Sequence, residues 1–527
     1  MKLRAILLLL AIGALSALPA IAQDNVRLTV SVSSGGGAPV RDLKKTDFTV
    51  QDAGKPQTIE NFLAPALMPT APPQPTPGQF TNAPDATESG AIFVVLDTIH
   101  TRYIEERDMR EMILKFLGRA AQAKRDVGLA ILSPKGLHVY HDYQTSPNVL
   151  LAALIKAGLG GMKGGTPPPG VNDVEVTAEA ARLTAFSKGD LSNSTPERQP
   201  LLSSVDMPLM MFRDVGHAVY GLPGRKAVVW VTNAVPFDID PKSFQFVSPK
   251  TSNPGAPVNG AQTPGIQDVL SSNQVKRLMP IWRRSMRDLL DGGAAVYPVE
   301  AQSSYTAGSS AFTQARMKTL AQLTGGKAFS GANDPFPEIL QTSNGNDAGY
   351  ILEFAREANA IPEFHRLQVT VNKPGSVVNS PAGYFPAEGT LKSRVQEDVN
   401  LALQSPLAYT GIPFTVGFTG NEDSAGKKKV NMTISLAGDT GVLNEATRTV
   451  DLALIAVARD AKDTTVGKLN EGAGGQFPPA AVAQIKELGF QLKRSIEVPA
   501  GDLTIHFVIR DNQTGRMGSL IVPLKVQ

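Results

Sequence analysis

Four short apolar runs punctuate the middle of the chain. Ala91-Ile92-Phe93-Val94-Val95-Leu96 leads into Asp97-Thr98-Ile99-His100-Thr101, and comparable runs fall at 127–132, 227–232 and 294–299. Apolar runs without alternation predict strands covered on both faces, as in a parallel sheet flanked by helices. The segments between them carry helical spacing. Met109, Met112, Ile113, Phe116, Leu117 and Ala120 form one stripe, behind the acids Glu105, Glu106 and Asp108 in the first turn. Ser146-Pro147 reads as the cap and first residue of a helix ending near Ala157. Further helices are predicted near 175–187, 201–220, 266–290, 312–323 and 337–342. Leu137-His138-Val139-Tyr140-His141 reads as an edge strand, 327–329 as a short strand, and Tyr350-Ile351-Leu352-Glu353-Phe354 as the last of the series. Residues 236–265 form a Pro/Asn/Ser-rich insertion. Strands alternating with helices over 91–355 predict a doubly wound α/β domain.

The flanks carry a period of two. Leu28, Val30 and Val32 alternate with polar residues, as do Phe48 and Val50 and, much later, Leu367, Val369 and Val371. Neither flank can bury a core alone. The N-terminal β segment (23–65) is therefore expected to pair with 360–388, within a second β segment at 356–390. Residues 66–90, with Pro72, Pro73, Pro75 and Pro77, predict an extended linker. Strand-like stretches at 413–418, 430–436, 450–457, 491–498, 503–509 and 520–526, with one helix near 478–488, predict a C-terminal β-sandwich over 391–527.

The 527 residues are too many for one ordinary core. Lys2, Arg4, the apolar segment 6–18 and Ala20-Ile21-Ala22 read as a signal peptide (1–22) cleaved after Ala22. The protein is therefore expected to be secreted or periplasmic. No later stretch reads as a bilayer span, so no stable transmembrane segment is expected after cleavage. Without cysteine there is no disulfide framework and no thiolate chemistry. Removing Lys2 and Arg4 leaves 49 basic against 48 acidic residues, a net charge of about +1. No basic block points to nucleic acid.

Phosphate-loop, dinucleotide, nucleophile-elbow and H-E-x-x-H patterns are missing. His138 and His141 have H-x-x-H spacing, but positions three apart on a strand point to opposite faces, so both are read as surface histidines. Glu105 and Glu106 read as a solvated helix face, and Met207, Met210 and Met211 as core. This leaves Asp97. A carboxylate just past the end of a central strand lies where open α/β sheets bind ligands.

A set of segments follows in a recognisable order: Phe93-Val94-Val95-Leu96-Asp97, Asp126-Val127-Gly128-Leu129-Ala130-Ile131, Gly164-Gly165-Thr166, Gly224-Arg225-Lys226-Ala227-Val228-Val229-Trp230-Val231, Val296-Tyr297-Pro298-Val299 and Leu323-Thr324-Gly325-Gly326-Lys327-Ala328-Phe329. On these, about residues 25–388 resemble the von Willebrand factor A (vWA) domain proteins, specifically the secreted VWFA-related proteins common in Acidobacteria. The resemblance implies a Rossmann-like, doubly wound vWA domain inserted in, or flanked by, immunoglobulin-like β-sandwich modules. It also implies a metal-ion-dependent adhesion site, D-x-S-x-S with a later Thr and a later Asp. Asp97, Thr101 and Thr166 match the aspartate, the second serine and the threonine. Ile99 replaces the first serine and Asn233 the later aspartate, so the site has lost one ligand and one charge. A hard divalent cation requires oxygen ligands. The expectation is a degenerate site without a bound ion, Mg²⁺ or Ca²⁺ being the alternative, with His100 and Asn233 as candidate partner contacts. The function implied is non-enzymatic binding of another protein or of an envelope or surface component. The alternatives are a structural component of a cell-envelope assembly and a metal-dependent hydrolase using Asp97.

Overall fold

The protein is described by a computed structural model over residues 25–65, 78–84, 91–101, 103–191, 203–247, 271–301, 311–331, 334–345, 349–355, 363–386, 391–424 and 426–527. The predicted signal peptide and most of the 66–90 linker lie outside these residues.

The apolar runs form a five-stranded sheet in the order Ala294–Glu300, Lys226–Thr232, Ile92–Asp97, Val127–Ser133, Gly136–His141. The first four strands are parallel, and the last folds back antiparallel on its neighbour. Val299 and Phe329 add a parallel bridge at the opposite edge. Alternate side chains feed two cores. Phe93, Val95, Val228 and Trp230 face the helices Asp206–Ala218, Ser272–Asp291 and Ala311–Thr324. Ile92, Val94, Leu96, Val229 and Val231 face Tyr103–Gln122, Pro147–Ala157 and Asp173–Lys188. Burial on both faces is why these strands show no polar alternation. After Ile92–Asp97 the chain crosses to one face, and after Lys226–Thr232 to the other. The crevice between those two strand ends is the switch point of the sheet. The insertion after Lys226–Thr232 is part of this core over its described residues. Phe237, Ile239, Phe244 and Phe246 are buried there, around Trp282.

Two four-stranded antiparallel sheets make an N-terminal β unit. One orders Ser376–Asn379, Asn25–Ser34, Gly349–Ala355 and Asn61–Leu63; the other orders Gly383–Tyr384, His365–Val371, Phe48–Asp52 and Lys55–Gln57. Val30, Val32, Phe48, Val50, Tyr350 and Leu352 share the core between them. Leu367 to Val371 lie opposite Asp52 to Phe48, so the two flanking segments pair across the α/β insertion. The strand Gly349–Ala355, which periodicity assigns to the parallel series, belongs here instead. It pairs antiparallel with Asn25–Ser31. An interior strand of such a unit is apolar on both faces, so a short apolar run does not distinguish the two sheets.

A C-terminal β unit encloses a third core between two more antiparallel sheets. One orders Phe490–Val498, Lys427–Leu436, Thr415–Ser424 and Gln79–Thr81; the other orders Thr465–Gln476, Thr449–Arg459, Gly501–Asp511 and Met517–Val526. Gln79–Thr81 corrects the linker assignment, because it is an edge strand rather than a spacer. The buried Asn82 fixes it in place. Its Nδ2 donates to the carbonyls of Tyr409 (2.7 Å) and Ile412 (2.9 Å), and Phe414 N–H donates to its Oδ1 (2.8 Å). The helix Val395–Gln404, not among those predicted, lays Val399 and Ala402 against Ile455, Val457 and Val508.

Both β units reach the α/β unit away from Asp97. Arg27 donates to the Asp291 carbonyl and stacks on Tyr220, 4.2 Å from its ring centre. Thr410 Oγ1 donates to the Ala218 carbonyl (2.6 Å) and accepts from Gly221 N–H (2.8 Å). These residues immediately precede the strands Ala294–Glu300 and Lys226–Thr232, at the end of the sheet opposite Asp97. Arg366 reaches the carbonyls of Pro241 and Lys242, alongside Phe244. Among the described residues no helix is long and apolar enough to cross a membrane.

Candidate functional site

Asp97 ends the central strand opposite Leu132, with Thr98 N–H donating to the Leu132 carbonyl at 2.9 Å. Its side chain is completely buried. Oδ1 accepts from the backbone N–H groups of Ile99 (2.9 Å) and His100 (3.1 Å). Oδ2 accepts from His100 Nδ1 (2.7 Å), Trp230 Nε1 (3.2 Å) and Thr232 Oγ1 (3.2 Å). The neighbouring strand explains two of these donors. Trp230 and Thr232 are two apart on Lys226–Thr232, so they share the face on which Asp97 lies. The turn after Asp97 brings the two amides and the imidazole back over its carboxylate.

The acids of the following helix close the site from the other side. Glu105 and Glu106, expected on a solvated face, are both buried. Asn233 Nδ2 donates to Glu105 Oε2, and Arg110 donates to Glu106 at 2.7 Å. Burial pushes the Glu106 carboxyl up; Arg110 opposes that shift and the Asp97 charge adds to it. The helical stripe identifies the apolar face correctly, but these two acids lie on the turn that packs under the strand end.

The predicted site residues are only partly brought together. Asp97 and His100 are in contact, and Asn233 is tied to the same edge through Glu105. Thr101 is buried beside them, yet its hydroxyl makes no hydrogen bond among the described residues. His100 Nε2 is likewise buried without a partner there. Thr166 is exposed and elsewhere. Its loop packs on the middle of Tyr103–Gln122: at Gly160 (φ +62°) a Cβ would meet the Leu114 carbonyl at 2.4 Å, and at Gly118 it would meet the Met162 methyl at 2.5 Å. A carboxylate has about four acceptor positions, and the amides of Ile99 and His100, His100 Nδ1 and Trp230 Nε1 already fill them on Asp97, the single Thr232 hydroxyl hydrogen being shared with the Ala234 carbonyl at 2.9 Å. With Ile99 apolar and Thr166 turned to solvent, the arrangement does not fit Mg²⁺ or Ca²⁺.

Two large apolar side chains stand exposed at the same end of the sheet. Tyr103 (85% exposed) begins the helix after Asp97. Phe312 (77% exposed) lies in the first turn of Ala311–Thr324, the helix that follows Ala294–Glu300. These helices cover opposite faces of the sheet, and each aromatic stands at the start of its helix.

The histidine pair on the edge strand is not a surface feature. His138 Nε2 lies 2.8 Å from Ser133 Oγ, and His141 Nδ1 lies 2.7 Å from Glu179, all four residues being buried. The helix Asp173–Lys188 covers this part of the strand, which the edge position did not anticipate. Met207 and Met211 are buried in the core as expected, whereas Met210 is only half-buried. Trp230, Thr232, Glu105 and Glu106 are the site residues that sequence reasoning missed. The period of two along Val228, Trp230 and Thr232 is the signal that points to the tryptophan. A scan against protein-family models finds no match, and no curated protein matches the sequence.

Proposed function

We propose that the chain is a non-enzymatic interaction protein of the vWA type, exported to the periplasm or beyond. In this reading the C-terminal edge of its parallel sheet is a metal-independent contact face for another protein or an envelope component. The observation that carries this is the Asp97 carboxylate, buried and satisfied by protein donors at the switch point, with Tyr103 and Phe312 exposed at the starts of two helices that follow strands of the same sheet. Exposed aromatics at a crevice rim favour association with another macromolecule. The parallel order with one antiparallel edge strand supports the vWA assignment. The contacts of Arg27 and Thr410 between the units lie at the opposite end of this sheet.

Cross-linking to envelope extract tests the reading. The wild type should yield a specific adduct that is unchanged by EDTA and lost in a Tyr103→Ser/Phe312→Ser double variant. An adduct that survives the double variant overturns the contact face. Loss in EDTA overturns its metal independence. A hydrolase activity abolished by Asp97→Ala would overturn the non-enzymatic assignment.

A further inference from the structure

Arg394 ends the turn Leu391–Arg394, just before the helix Val395–Gln404. It is only 5% exposed, yet its Nε and Nη2 hydrogens find no acceptor among the described residues. These two nitrogens form one edge of the guanidinium, the edge that matches two oxygens of an oxyanion.

The nearby acids are engaged elsewhere. Asp398 Oδ1 accepts from Arg213 (2.8 Å), and its Oδ2 accepts from Arg510 Nε (3.0 Å) and Nη2 (2.8 Å). Asp288 accepts from Arg213 (2.8 Å) and Arg287 (3.1 Å), with His217 Nε2 at 3.2 Å. Glu397 is bonded to Arg284. Burial lowers the Arg394 guanidinium to about 10, and the Arg287 charge pushes the same way against Asp398 and Asp288. A buried cation without a hydrogen-bonded counter-charge is costly, and a bound anion removes that cost.

We propose that Arg394 holds a small oxyanion, a carboxylate or phosphate group, through its Nε–Nη2 edge at the joint between the α/β unit and the C-terminal β unit. Asp398 beside it already ties Arg213 of the first unit to Arg510 of the second. An anion on Arg394 supplies a negative charge that no described residue hydrogen-bonds to that edge, so the ligand stabilises the joined arrangement.

Thermal unfolding of the full chain tests this, with sodium phosphate and sodium acetate each titrated against sodium chloride at equal ionic strength. At least one oxyanion should raise Tm saturably by about 2–4 °C where chloride does not. The rise should shrink in Arg394→Lys, which cannot grip two oxygens, and vanish in Arg394→Met. Comparing the two anions distinguishes carboxylate from phosphate. If Arg394→Met does not fold, phosphate binding is read instead on the wild type, from ³¹P linewidth, and on Arg394→Lys. Equal Tm in all three salts overturns the site. So does a non-saturating rise that survives in Arg394→Met, which is general salting.

Discussion

Replacing Asp97 separates a structural hub from a metal ligand. Asp97→Ala removes the acceptor for two backbone amides, the Trp230 indole and the His100 imidazole; Thr232 keeps its bond to the Ala234 carbonyl at 2.9 Å. Each buried donor left unsatisfied costs about 1–3 kcal/mol, and such costs are not fully additive. The expected loss is about 4 kcal/mol. Asp97→Asn should cost about half as much. Its carbonyl still accepts from the two amides, and His100 can change tautomer to accept from the new NH₂, so the indole N–H is the main loss. The assay is urea unfolding followed by tryptophan fluorescence. Trp230 and Trp282 are the two tryptophans of the chain, both completely buried in the α/β unit, so the signal reports that unit alone. The same losses are expected in EDTA and in millimolar Mg²⁺. Two results refute the reasoning: an Asp97→Ala protein as stable as the wild type in EDTA, or a wild type stabilised by Mg²⁺ in a way that Asp97→Ala abolishes.

Three other outcomes follow from buried polar groups at the joints. Asp398→Ala strips the shared carboxylate from Arg213 and Arg510, both buried, and should cost about 3–5 kcal/mol in urea unfolding followed by circular dichroism; a loss under about 1 kcal/mol would show that ions do not hold the joint. Asp214 is buried against the Tyr409 hydroxyl (2.5 Å), and burial lifts its carboxyl to about 6, against the opposing hydrogen bond from Tyr409. A raised folded-state value means that stability is full below about pH 4 and falls as pH rises through 6, by about 3 kcal/mol. Asp214→Asn should therefore exceed the wild type in urea midpoint at pH 8 and match it at pH 4, and an unchanged difference across that range would contradict the assignment. Asn82→Ala deletes three buried hydrogen bonds and should cost about 2–3 kcal/mol, with faster proteolysis around Gln79–Thr81; cleavage at the wild-type rate would mean the edge strand is held by its ladder alone.

The parallel sheet was legible because burial on both faces leaves an uninterrupted apolar run, and Asp97 stood out as the polar residue that ends one. The same rule misplaced Gly349–Ala355, since a run of that length fits an interior antiparallel strand equally well. Thr465–Gln476 escaped notice because Gly467, Gly472, Gly474 and Gly475 replace the β-branched residues that usually announce a strand, and Pro72 to Pro77 hid the short strand that follows them. At the site, local sequence located Asp97 and His100. What surrounds the carboxylate was not legible in the same way. Trp230 lies 133 positions downstream of Asp97, and its indole reaches the carboxylate only because two parallel strands are in register. The burial of Glu105 and Glu106 depends on how far the helix start tilts under the sheet, which periodicity does not specify.

The pairing of Asn25–Ser34 with Gly349–Ala355 sets an order of events during synthesis. Val30 lies opposite Tyr350, 320 positions later. At about 5–20 residues per second, the first strand waits roughly 15–60 s for its neighbour to be made. Until then it is an unpaired apolar edge, the kind of template on which chains aggregate. Folding of the intervening α/β unit brings the two ends together and removes most of the loop-closure penalty. Any truncation ending before Gly349 therefore leaves that edge permanently open, and such fragments should aggregate even when their α/β core is partly formed.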